Sequence, residues 1–511
     1  MDLSLYTAGL SLVFDMKVLL FIFLGTLLGI VTGALPGLSA MMGVSILIPL
    51  TYGMSPSAGI LMLIGVYLGA VYGGSLSATL MNIPGTPSAV MTALDAYPLA
   101  KKGQAGRAIG ISTVASALGG LLSVVALAFL APVVADFALK FTSIEMFMIA
   151  LFGISIMAYI APGSMIKGLI AGSIGLLIAT IGADPMTSVS RFTFGEINLF
   201  SGIQFVSAMI GLYGITEILL NTESKFKPGN KEVQVLDLQV RRVLPTWMDM
   251  KKLWLNISRS SIVGVIIGAI PGAGGTIASI VSYAQQKRFS NDPDKLGKGS
   301  IEGIAAAESA NNACTGGAMI TLLSLGIPGD AVTAILIGAF MIHGLVPGPL
   351  LFQQNFDIVS AIFIGMVVAN LFLLVIGLGG ARYFSKLLLV PFPILNTAIL
   401  ALCFLGTFAI QNNFFDIKTM LVFAILGFVF SKLEIPRSPL VLALILGPLM
   451  ESNLRRFLSM SNDGSLNAFV ASLWNHPIAG TLMILTALTL ILPLFQRGNR
   501  FTEEVKMEKN S

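Results

Sequence analysis

The chain has 511 residues, of which 55% are hydrophobic and only 11% carry a charge. Soluble domains carry about 25% charged residues, so this composition excludes a soluble globular protein and predicts an all-α polytopic membrane protein in a lipid bilayer. The net charge of +5 is assigned to basic loops on one side of the membrane and not to nucleic-acid binding. Two cysteines and two histidines give neither a disulfide framework nor metal-ligand spacing, and we expect no cofactor.

The first two apolar runs are each too long for one crossing. We expect the run from about Val18 to be retained, because it lacks the basic segment and cleavage site of a signal peptide. At about 1.5 Å per residue, residues 18–50 and 60–98 both exceed a hydrocarbon core of about 30 Å. The first is interrupted by GALPG at Gly33–Gly37 and the second by NIPGTP at Asn82–Pro87. Each run is therefore predicted to form two half-helices that meet at a break.

Apolar spans without such breaks follow, and then a polar segment. The polar segment, 222–259, holds eight basic residues against four acidic ones. This excess predicts a basic cytoplasmic linker. The spans before it are expected at roughly 108–134, 143–161, 164–183 and 197–220.

The second half of the chain repeats the breaks of the first. GAIPGAGG at Gly268–Gly275 echoes GALPG, and LGIPGD at Leu325–Asp330 echoes NIPGTP. The prolines of the paired motifs lie 235, 244 and 251 residues apart (Pro36 to Pro271, Pro84 to Pro328, Pro185 to Pro436). Offsets that grow slowly and in order are typical of a duplicated unit. The predicted parts are an N-terminal membrane repeat, 18–221, a C-terminal membrane repeat, 260–452, and a final transmembrane helix, 477–497.

Loop charges predict the orientation of the repeats. Loop 51–57 is uncharged whereas its counterpart 285–302 has four basic residues, and loop 95–107 is basic whereas its counterpart 344–356 has none. Because the basic loops exchange places, the repeats are predicted to have inverted topology. Each would contribute about five spans plus broken or re-entrant helical hairpins, giving about 10–12 transmembrane helices.

The breaks are the predicted binding site. Irregular backbone persists at membrane depth only inside protein or beside water, and transporters build their midplane sites from broken helices. A helix N-terminus offers free N–H groups and partial positive charge to an anion. We therefore expect polar and glycine residues around the four breaks to bind the substrate, through these N–H groups if it is an anion: Ser39, Ser75, Thr79, Asn82, Gly85, Thr86, Gly274, Gly275, Thr276, Ser309, Asn311, Asn312, Thr315 and Gly329.

The same region offers oxygen ligands for a coupling ion. The side-chain oxygens of Asn82, Thr86, Asn312 and Asp330 suit a hard cation such as Na⁺. A proton is the alternative, with Glu308 or Asp330 as its carrier, since intramembrane carboxyl groups are typical of proton relays.

The motifs GALPGLS, YGGSLSATLMNIPGTP, GAIPGAGG and AESANNACTGGAMITLLSLGIPGD together resemble the large membrane subunit of tripartite tricarboxylate transporters. The resemblance implies a multi-pass permease of the bacterial inner membrane that imports tricarboxylates or related small carboxylates on an ion gradient, commonly of Na⁺. It also implies two partners, a small membrane subunit and a periplasmic solute-binding protein.

Two other classes of function are weighed against a carrier. A channel without gradient coupling would require a continuous polar stripe on several helices, whereas here the polar residues cluster at the breaks. An intramembrane enzyme would require a Ser–Lys dyad, a histidine cluster or paired aspartates, and no such arrangement is present in the sequence. We therefore predict a transporter and no enzymatic activity.

Overall fold

The structure is a computed structural model that describes residues 3–35, 37–160, 164–226, 243–387, 392–460 and 472–491. The described residues are almost entirely helical, which confirms the all-α prediction. Two strands, β1 (Gly182–Ala183) and β2 (Ser190–Arg191), pair antiparallel with Gly182 opposite Arg191.

The helices before residue 227 follow the chain in short and long pieces. There are 3₁₀ turns at Ile48–Thr51, Pro87–Ala89 and Ile197–Leu199, and π-helical segments at Ala100–Gln104 and Ile210–Ile215. The α-helices are α1 (Leu3–Val13), α2 (Met16–Ala34), α3 (Ala40–Leu47), α4 (Pro56–Met81), α5 (Val90–Leu99), α6 (Ala105–Ala138), α7 (Ser143–Ile160), α8 (Met165–Ala179), α9 (Phe205–Met209) and α10 (Thr216–Phe226).

The helices after residue 242 include α13 (Ile301–Leu325), which carries a row of buried polar side chains. A 3₁₀ turn at Pro293–Lys295 precedes it. The helices are α11 (Trp247–Gly268), α12 (Gly274–Phe289), α13 (Ile301–Leu325), α14 (Ala331–Ile342), α15 (Pro349–Gln354), α16 (Phe356–Leu387), α17 (Phe392–Gln411), α18 (Phe414–Lys432), α19 (Ser438–Met460) and α20 (Pro477–Ile491).

Length and hydropathy make this a multi-pass membrane protein. Two of the shorter apolar helices, Ala40–Thr51 and Ala331–Ile342, each follow a break, as the predicted half-helices do. The described residues contain six helical segments long and apolar enough to cross a membrane: Met16–Ala34, Pro56–Met81, Pro87–Ala138, Phe205–Glu223, Phe356–Phe384 and Phe414–Lys432.

Several predicted boundaries differ from the structure. The predicted basic loop 95–107 is helical, because α5 continues through a π-helical segment into α6 and bends where Gly103 adopts a φ of 78°. The predicted span 197–220 becomes α-helical only at Phe205, because the 3₁₀ turn Ile197–Leu199 and non-helical residues precede it.

The ends of the predicted segments also shift. Helix α1 precedes the predicted start of the first repeat and packs on α16, with Gly9 against Ser360. The last part of the predicted linker forms the beginning of helix α11, which starts with a capping box formed by Thr246 and Asp249. The linker residues 227–242, the break residue Pro36 and the final residues 492–497 of the last predicted helix lie outside the described residues.

The order of elements occurs twice. In both halves a helix ending at a glycine-rich break (α2, α11) is followed by a short helix (α3, α12) and a long helix (α4, α13). The long helices, 26 and 25 residues, both end at a left-handed residue, Asn82 with φ 56° and Gly326 with φ 70°. Gly85 then packs against the backbone of Gly33 at the end of α2, and Gly329 packs against Gly268 at the end of α11. Equivalent packing at equivalent positions supports the predicted duplication.

Contacts divide the chain into two compact units. One comprises residues 1–139 and 205–428, and the other residues 140–204 and 429–511. In the first unit, α10 packs on α18, where the Thr216 hydroxyl donates to the Ala424 carbonyl (3.1 Å). In the second unit, α19 packs on α7 and α8. Each unit combines segments from both predicted repeats.

The second unit contains a charged cluster at the hairpin. Arg455 pairs with Asp184 (2.7 Å) and with Glu451 (2.9 Å), and Arg191 pairs with the same two acids (3.4 and 2.6 Å). The pKa of Asp184 is lowered to about 2, chiefly by backbone N–H bonds from Thr187 and Met186 and also by Arg455. The cluster therefore stabilises the hairpin formed by β1 and β2. Its carboxylates are paired with arginine side chains and need no ligand.

The predicted inverted orientation of the repeats can be tested by labelling. Single cysteines in loops 51–57 and 285–302 should react with an impermeant reagent from opposite sides of the membrane. Ser57 is buried in α4, so we choose Tyr52, which is 53% exposed, and Lys295, whose side chain is 75% exposed. Reaction of both cysteines from the same side in sealed vesicles would contradict inverted repeats.

Candidate functional site

A polar face on α13 is the centre of the candidate site. Glu308, Asn311, Asn312 and Thr315 follow the i, i+3, i+4, i+7 spacing that places residues on one side of a helix. All four are at most 1% exposed. The Thr315 hydroxyl donates to the Asn312 carbonyl (2.6 Å) and is satisfied within its own helix. Of the other three, Glu308 bonds neighbouring helices, and Asn311 and Asn312 each have at least one unpaired polar atom.

Asn311 has no hydrogen-bond partner on either its oxygen or its nitrogen. Its side chain lies against Gly275 in the first turn of α12, and Gly275 also adjoins Ser88 of the first-half break. The Ser279 hydroxyl of α12 donates to the Ser88 carbonyl (3.0 Å) and joins these two elements. An unpaired buried polar group costs about 1–3 kcal/mol, and such a group in a folded protein requires an explanation.

Asn312 and Glu308 are joined through the backbone of α13. The Asn312 amide nitrogen donates to the Glu308 carbonyl (3.1 Å), and the Asn312 side-chain oxygen has no partner. Thr92 of α5 donates to one carboxylate oxygen of Glu308, and Ser116 of α6 donates to the other (2.8 Å). Three helices therefore meet at this carboxyl group.

Ser112 extends the hydroxyl cluster to α4. It lies one turn before Ser116 and within reach of the Glu308 carboxyl group. Its hydroxyl donates to that of Ser75 (2.7 Å), which is fully buried. The predicted residue Ser75 therefore belongs to the cluster of buried hydroxyl groups that lies beside Glu308.

Asp330 caps a helix and also contacts the first half. Its carboxylate accepts from the Thr333 N–H (2.7 Å), forming a capping box at the start of α14. Its other oxygen accepts from the Tyr67 hydroxyl of α4. Gly274, at the start of α12, adopts a φ of 64° and lies beside Asp330. The second break, α12 and α4 therefore meet at this acid.

Other predicted residues have local roles. Ser39 caps α3 by accepting from the Met42 N–H (3.2 Å). Thr79 and Ser309 donate to carbonyls of their own helices at 2.7 and 2.6 Å. Thr276 is half-buried in the first turn of α12.

The predicted Na⁺ ligands are spread over several elements. Asn82 is exposed at the end of α4, whereas Asn312 is buried in the middle of α13. Thr86 lies in the first-half break and bonds Ser88 (3.1 Å). No hydrogen bond between residues that the structure describes joins any two of Asn82, Thr86, Asn312 and Asp330.

Several residues of the site were missed from sequence. Ser112 and Ser116 are four residues apart in an apolar span, which is the spacing of one helical face. Tyr67 lies 244 residues before Asn311, the same offset as Pro84 to Pro328. The predicted duplication therefore places Tyr67 at the position equivalent to Asn311. Both are signals the sequence contains. Thr92, Ser88 and Ser279 gave no comparable signal.

The fold and the site together define a class of protein. They describe a polytopic membrane protein whose buried polar groups collect where broken helices meet, which is the arrangement of a membrane transporter. The model of the tripartite tricarboxylate transporter TctA family matches residues 19–442. The chain therefore belongs to this family and is a subunit of a tripartite tricarboxylate transporter.

Two relatives from Agrobacterium vitis are similar to the chain. The "Uncharacterized 52.8 kDa protein in TAR-I ttuC' 3'region" is 36% identical over 490 residues, which cover 94% of this chain and 95% of that protein. The "Uncharacterized protein in TAR-II ttuC' 3'region" is 37% identical over 245 residues, 48% of this chain and 99% of that protein. No solved structure matches the chain significantly.

Proposed function

We propose that this subunit is the permease of a secondary active transporter that imports tricarboxylates or related small carboxylates across the bacterial inner membrane. Family membership supports carboxylate transport and a tripartite assembly. The observation that carries the proposal is the unpaired, buried amide of Asn311 beside the breaks. A ligand carboxylate would satisfy its N–H groups and remove the cost of leaving them unpaired.

The start of α12 is suited to an anion. Gly274, Gly275 and Thr276 form its first turn and are half-buried, so they are open to a ligand beside Asn311. Helix α12 has 16 residues, and the N-terminus of a helix of that length attracts negative charge through its free N–H groups. Glycine permits close approach of a ligand to this backbone. The substrate carboxylate would approach the first turn of α12 beside Asn311.

An ion gradient is proposed to drive import. The resemblance of the breaks to those of the family implies Na⁺, and Asn82, Thr86, Asn312 and Asp330 are the proposed oxygen ligands. These residues belong to elements on both sides of the breaks. A change in how the two halves meet would bring such ligands together or separate them, which is how binding of an ion and of substrate are coupled in broken-helix transporters.

Saturable, gradient-driven uptake tests the function. The complete transporter, reconstituted into proteoliposomes, should accumulate labelled citrate when an inward Na⁺ or proton gradient is imposed. Accumulation above the external concentration and saturation with substrate are properties of a carrier. Uptake that never exceeds equilibrium under any gradient would contradict secondary transport and favour a channel.

Partner dependence gives a separate prediction. Proteoliposomes with this subunit and the small membrane subunit should transport poorly, because the proposed periplasmic binding protein delivers the substrate. Adding that protein should restore uptake, and a binding protein that cannot hold substrate is the matched control. Full uptake without any binding protein would overturn this part of the proposal.

A further inference from the structure

A buried contact joins the two halves of the chain at the start of α13. Asp95 of α5 is 0% exposed. One of its carboxylate oxygens accepts from the backbone N–H groups of Gly297, Gly299 and Ser300, which precede α13, at 2.9, 2.9 and 2.7 Å. The other oxygen accepts from the Tyr283 hydroxyl of α12 (2.8 Å). Four hydrogen bonds therefore hold α5 against α12 and the loop before α13.

A second contact occupies the corresponding place in the other half. His343 ends α14, and its Nε2 lies 3.2 Å from the hydroxyl of Thr51, which precedes α4. A Cβ at Gly59, in the first turn of α4, would approach this ring nitrogen to 2.4 Å. A Cβ at Gly303, in the first turn of α13, would likewise approach a carboxylate oxygen of Asp95 to 2.0 Å. The side chain that follows each break therefore packs on a glycine in the first turn of the long helix of the other half.

The spacing of the duplicated unit relates the two contacts. The two glycines under the side chains are 244 residues apart, the offset found between the paired breaks. Gly53 and Gly297, in the loops before α4 and α13, are also 244 residues apart and have φ values of 85° and 86°. Asp95 and His343 are 248 residues apart, within the rise of the offsets from 244 to 251 along the chain. The contacts are therefore equivalent parts of the repeat, and we name them the Asp95 latch and the His343 latch.

The two latches lie at opposite ends of the long helices. Ser75, in the last third of α4, belongs to the hydroxyl cluster beside Glu308, which lies in the first third of α13. Tyr67, in the middle of α4, bonds Asp330, which follows the end of α13. Helices α4 and α13 therefore run antiparallel, and the latches at their starts are on opposite sides of the pair. The basic residues of loop 285–302 predict the cytoplasmic side for the Asp95 latch.

The latches hold the elements around the proposed substrate site. The Asp95 latch fixes α5 to α12, whose first turn contains Gly275 beside Asn311. The His343 latch fixes the end of α14 to the turn before α4. Four bonds to a carboxylate hold one end more firmly than the 3.2 Å bond between His343 and Thr51 holds the other. The structure is therefore closed at the Asp95 latch and held loosely at the His343 latch.

We propose, on the basis of the transport function above, that the two latches are the paired gates of the transport cycle. The Asp95 latch closes the site toward the side of loop 285–302, and the His343 latch closes it toward the side of loop 51–57. One latch opens while the other is closed, so a substrate bound at the first turn of α12 enters from one side and leaves on the other. Asp95 and His343 are positioning residues, because they act through the segments they hold.

The test measures from which side of the membrane a cysteine at the site can be reached. Thr276→Cys places a reporter in the first turn of α12, where the side chain is half-buried. The native Cys314 and Cys403 are buried, and protein without the reporter measures their background. Right-side-out and inside-out vesicles that contain the complete transporter are treated with an impermeant maleimide. The readout is the ratio of the labelling rates from the two sides.

Removal of each latch should shift this ratio in an opposite direction. D95A should shift it toward the side of loop 285–302 by about tenfold or more, because bonds to a carboxylate are lost. H343A should shift it toward the side of loop 51–57 by about two- to tenfold, because the bond to Thr51 is lost. The matched controls are D292A, in the same loop as the Asp95 latch, and H476A, at the other histidine of the chain. Both controls should stay within about twofold of wild type.

A cross-link tests the Asp95 latch without removing it. The Lys102 side chain donates to the Lys298 carbonyl beside the latch (2.6 Å), so cysteines at these two positions can be joined by a short reducible linker. The linked transporter should lose citrate uptake by about tenfold or more and regain it on reduction. The same double variant without linker is the control.

Three results would overturn the gates. They are an unchanged labelling ratio in folded D95A, a shift of D95A and H343A toward the same side, and uptake that the cross-link does not affect. A contact that only stabilises the fold would lower the yield of folded D95A and leave the ratio unchanged. Absence of citrate uptake by wild type under every gradient would instead overturn the proposed function, and the labelling ratios would still decide whether the latches open.

Discussion

Replacing Asn311 with alanine is expected to raise the apparent Michaelis constant for citrate about ten- to a hundred-fold. Losing a hydrogen bond to a charged ligand costs about 1.5–3 kcal/mol, and each 1.4 kcal/mol changes an affinity by about tenfold. Folded protein should not decrease, because the amide has no protein partner to lose. The measurement is uptake kinetics of the reconstituted transporter, normalised to the monodisperse fraction in size-exclusion chromatography.

Asn256 is the matched control for this substitution. It is also a buried asparagine of the second half, but its nitrogen donates to the Glu302 carbonyl (2.8 Å) and its oxygen accepts from Ser260 (3.1 Å). Asn256→Ala should reduce the yield of folded protein and leave the Michaelis constant unchanged. The opposite pattern is expected for Asn311→Ala. An unchanged Michaelis constant in Asn311→Ala would remove this amide from the substrate site.

The same assay tests Asn82 and Asn312, the two amides that we predicted to approach one site from the two halves of the chain. Asn82→Ala and Asn312→Ala are predicted to raise the apparent Michaelis constant for substrate or ion. Asn312 has one unpaired oxygen, whereas Asn82 is exposed and ends α4 in a left-handed conformation. For Asn82, a glycine variant is the better conformational control, since glycine adopts a positive φ freely. If Asn82→Ala and Asn82→Gly differ only in folded yield, Asn82 acts as a helix cap and not as a ligand.

The second large effect is expected at the interface of α2 and α4. Gly25, Gly29 and Gly33 each face a carbonyl oxygen of α4, so a Cβ at any of them would overlap the α4 backbone. The facing glycines of α4 do the same toward α2. Small residues at a spacing of four allow membrane helices to approach closely, and packing then replaces the hydrophobic effect as the source of stability.

Gly29→Ala is therefore expected to destabilise the protein by about 1–3 kcal/mol, the usual cost of inserting a methyl group into a packed interface. The matched control is Gly379→Ala in α16, where a Cβ would meet open space. There the substitution should be neutral or stabilising by about 1 kcal/mol, because alanine favours a helix more than glycine does. Thermal unfolding in mild detergent measures both. Equal shifts for the two variants would contradict close packing of α2 on α4.

Local chemistry made part of this protein predictable from its sequence. Low charge and long apolar runs determined the membrane class, because the hydrocarbon core requires them. Gly–Pro motifs within those runs located the breaks, since proline removes a backbone donor and glycine permits left-handed turns. The polar face of Glu308, Asn311 and Asn312 could also be predicted from local sequence. Helical spacing alone places these residues together.

Tertiary structure decided what these groups contact. The hydroxyls bonded to Glu308 come from residues 216 and 192 positions away, and no local pattern pairs them with it. Asn82 and Asn312 looked equivalent in sequence, yet one is exposed at a helix end and the other is fully buried. The physical reason is that a helix determines only which residues share its face. Which of them meet a partner, and which remain unpaired at a break, depends on how α4, α5, α6 and α12 pack around α13.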